Sequence, residues 1–149
     1  MKGRVALVTG GTRGIGKAIA IDLHKAGAKV AVNYAGNDEA AKKFHEETGI
    51  PTYKFDVSDY AACEAAIRQL EKDLDGHVEI LVNNAGITRD SAMHKMSHDK
   101  WDDVIQTNLT SCFNMSQLVI ENMRNNADTF VSSQFQKHHL TYLSHSLMI

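Results

Sequence analysis

Thr9-Gly10-Gly11-Thr12-Arg13-Gly14-Ile15-Gly16 is the stretch that decides the fold. It follows a short apolar run, residues 4–8, and precedes Ile15, Ala18, Ile19 and Leu23 at helical spacing. A buried strand therefore enters a tight glycine turn and leaves it as a helix, which Gly27 ends. Glycines there let the backbone turn sharply and let a phosphate approach the helix N-terminus. Unpaired amides and the helix dipole suit a dinucleotide pyrophosphate. The spacing is neither GxGxxG nor a P-loop, and a purely structural glycine turn is the competing reading.

The rest of the chain continues the rhythm. Strands are expected over residues 28–33, 52–55 and 78–82. Helices are expected from Asn37 or Asp38 to Thr48, and from Ser58 or Asp59 to Leu74. Alternating strands and helices give βαβ units and a parallel sheet. The strands are nearly continuous apolar runs, as expected when helices cover both faces. Ser97 begins a further long helix reaching about Met123, with Trp101, Val104, Ile105, Leu109, Cys112, Phe113, Val119 and Ile120 on a wide apolar face.

Three further features accompany the turn. Asp56 ends the third strand, where a carboxylate can accept from an adenine amino group or cap the next helix. Asn83-Asn84-Ala85-Gly86 ends the fourth strand on the same carboxyl edge, where open α/β sheets bind ligands. Asn108 is a polar residue in mid-helix. Together, Thr9–Gly16, Asp56-Val57, Asn83–Gly86 and Asn108 resemble the short-chain dehydrogenase/reductase family. Ile87-Thr88-Arg89-Asp90, Thr107-Asn108-Leu109-Thr110-Ser111 and Phe113-Asn114 are similar to its β-ketoacyl reductase branch.

The resemblance covers residues 1 to about 124. It implies a Rossmann-type three-layer α-β-α parallel sheet, here its N-terminal four to five strands. It also implies a 3-oxoacyl thioester substrate carried on CoA or acyl carrier protein, acetoacetyl-CoA being favoured, and a homo-oligomer, a tetramer in the full-length family. By likeness, Gly10, Gly11, Thr12, Arg13, Gly14, Ile15, Gly16, Asn33, Asp56, Val57, Asn84, Ala85 and Gly86 bind the cofactor. Asp90 would line the substrate entrance, or is a loop carboxylate without a task. NAD-type sheets carry an acid at the end of the second strand. This chain has Val32-Asn33-Tyr34 there, and Arg13 can meet a 2′-phosphate, so NADP(H) is the expected cofactor.

Family chemistry uses a Tyr as proton donor, a Lys four residues later, a Ser thirteen residues earlier and the mid-helix Asn. Asn108 fits the last role. Thr129-Phe130-Val131-Ser132-Ser133 reads as a fifth strand ending in a serine, which makes Ser133 the candidate for the carbonyl-polarising group. Thirteen residues beyond Ser133 is Ser146, however, and four beyond Tyr142 is again Ser146. The Tyr and Lys of the pattern are therefore not met, and activity as written is expected to be negligible.

Composition marks the same place. All 10 glycines lie at or before Gly86, and after Arg124 the charged residues are Asp128 and Lys137. Residues 1–124 are thus expected to form the cofactor domain, and 125–149 a divergent tail, frameshifted or disordered. An uncovered sheet edge beside the fourth strand would favour self-association. The 149 residues carry a net charge of −2, which gives no electrostatic reason to expect nucleic acid. There is no apolar run of membrane-span length and no signal peptide. Two distant cysteines, Cys63 and Cys112, point to a reduced cytoplasmic protein without a disulfide framework. No metal motif is present; His138, His139 and His145 lack HExxH spacing or a cysteine partner.

Overall fold

The computed structural model describes residues 1–137, with side chains through Asn126. Four strands form one parallel sheet: β1 (Val5–Val8), β2 (Lys29–Tyr34), β3 (Thr52–Lys54) and β4 (Val78–Val82). Their spatial order is β3-β2-β1-β4. The chain steps outward from β1 to β3, then crosses back so that β4 pairs with the other side of β1. The strand order therefore reverses at the β1/β4 boundary, where sheets of this kind bind ligands.

The helices are α1 (Gly14–Lys25), α2 (Asp38–Thr48), α3 (Tyr60–Asp73), α4 (His98–Ile105) and α5 (Ser111–Lys137). Alternate residues of β1 divide the core. Val5 and Leu7 face a cluster with Cys63, Ile67 and Leu70 of α3 and with Met115 and Val119 of α5. Ala6 and Val8 face Ala20 of α1 and Phe44 of α2. Both faces of β1 are dry, which is why its sequence is a continuous apolar run rather than an alternating one. Burying each large aliphatic side chain contributes about 1.5–3 kcal/mol.

Local chemistry fixes the helix ends. Asn37 Oδ1 accepts from Ala40 N at 2.9 Å, Asp59 Oδ1 from Ala62 N at 3.0 Å, and Ser97 Oγ from Lys100 N at 3.3 Å. Each is a side-chain N-cap, which typically contributes about 1 kcal/mol. Gly49 closes α2 with φ of 71°. The start of α1 differs: Arg13 is its N-cap residue and makes no side-chain cap bond.

Two sequence expectations need correction. The long helix expected from Ser97 is interrupted by a π-helical turn over Gln106–Thr110, between α4 and α5. The fifth strand expected over residues 129–133 is not formed, because α5 runs through them to Lys137. No glycine or proline follows Ser111 to stop that helix, so it crosses the change of composition at Arg124 unbroken. Ser133 is accordingly a helical residue and does not end a strand on the carboxyl edge of the sheet. Tyr142, Ser146 and the three tail histidines lie outside the described residues.

Candidate functional site

The strand exits at the carboxyl edge enclose a cleft of about 810 Å³. Its lining includes Gly10 and Thr12–Gly16, the Asn33–Asn37 segment, Phe55–Ser58 and Asn84–Ile87. Thus Gly10, Thr12, Arg13, Gly14, Ile15, Gly16, Asn33, Asp56, Val57, Asn84, Ala85 and Gly86 are brought to one cavity from four strand ends. Gly11 lies just behind the wall. A Cβ there would meet Val32 at 2.6 Å, so only glycine lets the turn seat against β2.

Three side chains bolt the strand exits together. The Thr9 hydroxyl accepts from Asn84 N at 2.9 Å and Ala85 N at 3.0 Å. Asn84 Nδ2 returns the bond to the carbonyls of Thr9 and Gly10, at 2.9 and 3.1 Å. Asn33 is 2% exposed and joins the other two exits. Its Oδ1 accepts from Gly10 N at 3.2 Å and its Nδ2 donates to Phe55 O at 2.7 Å. A buried amide of this sort is costly unless both ends are bonded, and here they are. Asn33 therefore holds the floor of the cleft with its polar atoms already engaged.

Helix α1 starts hard against the Gly10–Asn84 junction. A Cβ on Gly16 would lie 2.5 Å from both Gly10 O and Asn84 Nδ2. The bare α-carbon permits the close approach. The first-turn amides of an α-helix have no intrahelical acceptor. Since Arg13 supplies no cap, these donors face the cleft and carry the positive end of the dipole. The exposed Arg13 guanidinium adds a full charge and has no side-chain partner among the described residues.

At the exit of β3, Asp56 Oδ1 accepts from Ser58 N at 2.9 Å and Ser58 Oγ at 2.7 Å. Asp59 performs the capping of α3, so Asp56 is not consumed by that task. At the start of α2, the Asp38 carboxylate bonds Lys54 Nζ at 2.8 Å and also faces the Tyr34 phenol. Lys54, then Tyr34, hold the Asp38 carboxyl below the usual carboxylate range. Partial burial and that same carboxylate push the Tyr34 phenol up.

On the other side, Asn108 sits at the centre of the π-helical turn. Its Oδ1 accepts from Ile87 N at 2.8 Å and its Nδ2 donates to Ile87 O at 2.9 Å. The amide thus mimics one rung of a β-ladder and ties the loop after β4 to the helix. Cys112 Sγ donates to the Asn108 carbonyl at 3.3 Å. A π turn in mid-helix commonly marks a working position, because it re-aims one side chain without ending the helix. Asp90 is exposed and lies outside the cleft lining; its neighbour Arg89 lines it instead, paired with Asp103 at 3.3 Å. Tyr34, Asn37, Ser58, Ile87 and Thr107 also line it and were not foreseen. For Tyr34 and Asn37 the available signal was their position at or just past the end of a strand aligned with the glycine turn.

The family described as short chain dehydrogenase matches residues 4–136. This chain belongs to the short chain dehydrogenase family. It is 61% identical over 121 residues to the acetoacetyl-CoA reductase of Rhizobium meliloti and 60% identical to that of Paracoccus denitrificans. Each match covers 81% of this chain and 50% of the relative. The 3-oxoacyl-[acyl-carrier-protein] reductase FabG of Salmonella typhimurium is 42% identical over 124 residues, or 82% of this chain and 50% of the relative. The chain therefore spans about half the length of these curated short chain dehydrogenase relatives. No helix among the described residues is long and apolar enough to cross a membrane.

Proposed function

We propose that these residues form the NADPH-binding half of a reductase that converts a 3-oxoacyl thioester, with acetoacetyl-CoA favoured, to the 3-hydroxyacyl thioester. The observation that carries this reading is the uncapped α1 N-terminus, with an unpartnered Arg13, opening into a cleft at the strand-order reversal. The amides of Gly14–Gly16 would hold the pyrophosphate, and Arg13 the 2′-phosphate as a charge-assisted pair. Asp56 and Val57 would meet the adenine, and Asn84–Gly86 the nicotinamide ribose. The bound nicotinamide would supply the hydride. Asn108 keeps the Gly86–Ile87 wall in place through its two bonds to Ile87. The relatives' names support the thioester class, and acyl carrier protein is the second carrier they suggest.

A second reading is favoured by one sequence fact. Tyr34, Tyr53, Tyr60 and Tyr142 are followed four residues later by Asp38, Val57, Glu64 and Ser146, so no Tyr-x3-Lys pair occurs within these 149 residues. By itself the chain then binds cofactor without turning over substrate. Trp101, Leu109, Phe113 and Ile120 are each more than half exposed along α4, the π-helical turn and α5. This stripe supports association with a second copy or a homologous reductase, in keeping with a cytoplasmic homo-oligomer.

Calorimetric titration tests both parts. NADPH is expected to bind more tightly than NADH, and Arg13→Ala to weaken NADPH about tenfold while leaving NADH unchanged. Equal affinities overturn the cofactor reading. NADPH oxidation with acetoacetyl-CoA by the isolated chain, at about 1 s⁻¹ or faster, overturns the non-catalytic one.

A further inference from the structure

An acid lies four residues beyond the end of β2. Asp38 is the first residue of α2 and follows Asn37, which lines the cleft. An acid just past this strand is what holds a ribose 2′-hydroxyl in NAD-type sheets, and it would repel a 2′-phosphate. Here the carboxylate is bonded by Lys54 Nζ at 2.8 Å, with the Tyr34 phenol beside it. Lys54 is well placed for this because the β-ladder pairs it with Tyr34. The neighbouring cations divide their work. Lys17 is bonded to Glu47 at 2.6 Å, Lys54 to Asp38, and Arg13 is left for a ligand.

We infer that Lys54 is a specificity-positioning residue that neutralises a latent ribose-binding acid, Asp38, and so keeps the cleft selective for NADPH. The inference deepens the NADPH reading and rests on it. The Asp38–Lys54 pair is exposed, with side-chain exposures of 64% and 53%, so a modest effect on selectivity is expected rather than an absolute switch. A helix start on one side and a strand register on the other bring the two backbone positions together.

The test is a double-mutant cycle on the full 149-residue chain, reading the ratio of NADH to NADPH dissociation constants by calorimetry. Lys54→Met is expected to lower that ratio about two- to fivefold. Lys54→Arg, which keeps the pair, is expected to retain it. Adding Asp38→Asn to Lys54→Met is expected to restore it, because no carboxylate remains to be hidden. Lys42→Met removes an equal charge from the outer face of α2, where Lys42 pairs with Glu46, and is expected to change nothing. A Lys54→Met ratio equal to wild type overturns the inference. So does a double variant that stays low, which would make Lys54 a direct phosphate contact. A wild-type chain that prefers NADH, or binds neither cofactor, instead overturns the NADPH reading beneath it. All variants are exposed substitutions, and circular dichroism checks that each is folded.

Discussion

The two ends of the sheet are held together by different physics. At the carboxyl end, neutral side chains reach backbone groups of neighbouring strands: Thr9 to Asn84 and Ala85, Asn84 to Thr9 and Gly10, Asn33 to Gly10 and Phe55. At the amino end, charged and exposed side chains dominate. Arg4 pairs with Glu79 at 3.1 Å, Lys29 Nζ donates to Leu74 O at 2.7 Å, and His77 meets Glu71 at 3.0 Å. Buried neutral bonds have one geometry and resist salt; exposed pairs are loose and screened. Precision is concentrated where a ligand would have to fit.

Substitutions at the two ends should separate accordingly. The largest effect is expected from Gly16→Ala. Its methyl would meet Gly10 O and Asn84 Nδ2 at 2.5 Å, and the backbone oxygen cannot simply rotate away. Loss of about 1–3 kcal/mol in a urea melt is expected, together with loss of measurable NADPH binding. Unchanged binding would show that the close approach does not shape the cleft. Next is Asn33→Ala, which orphans Phe55 O at a buried position and Gly10 N at a part-buried one. Denaturant titration should show about 1–3 kcal/mol lost. A change within experimental error would mean that water replaces the amide.

Much of the fold beneath this contrast was legible in the sequence. The glycine turn, the four strands and the alternation with helices follow from short apolar runs and turn residues, whose signals are local. The capping choices at Asn37, Asp59 and Ser97 were narrowed to one or two residues for the same reason. The brace made by Asn33 was not legible, because its partners lie 22 and 23 residues away and only the strand register brings them together. The π turn escaped notice because the apolar spacing through Leu109 and Phe113 tolerates one wide turn. Phe130-Val131 reads as strand by residue type, yet a helix already running from Ser111 has nothing to end it there.

The smallest effect is expected at the amino end. Arg4→Ala removes a bond to the Glu79 carboxylate and one to its carbonyl, both exposed. A cost of about 0–1 kcal/mol is expected, smaller still in 1 M salt. A loss as large as that of Asn33→Ala, or one insensitive to salt, would abolish the distinction between the two ends.

The Thr9–Asn84 junction has a kinetic consequence. It joins residues 75 apart in the chain, so closing it confines nearly all of three βα units before any reward is gained. Long-range parallel pairing is intrinsically slow for this reason. No local fragment can preform the cleft, since one wall is made at the start of the chain and the other only after β4 has been laid down. A ligand that needs both walls must wait for the whole sheet, and once bound it stabilises that sheet by mass action. Cofactor capture would therefore report completion of folding, and a burst of capture ahead of β1–β4 pairing would not be seen.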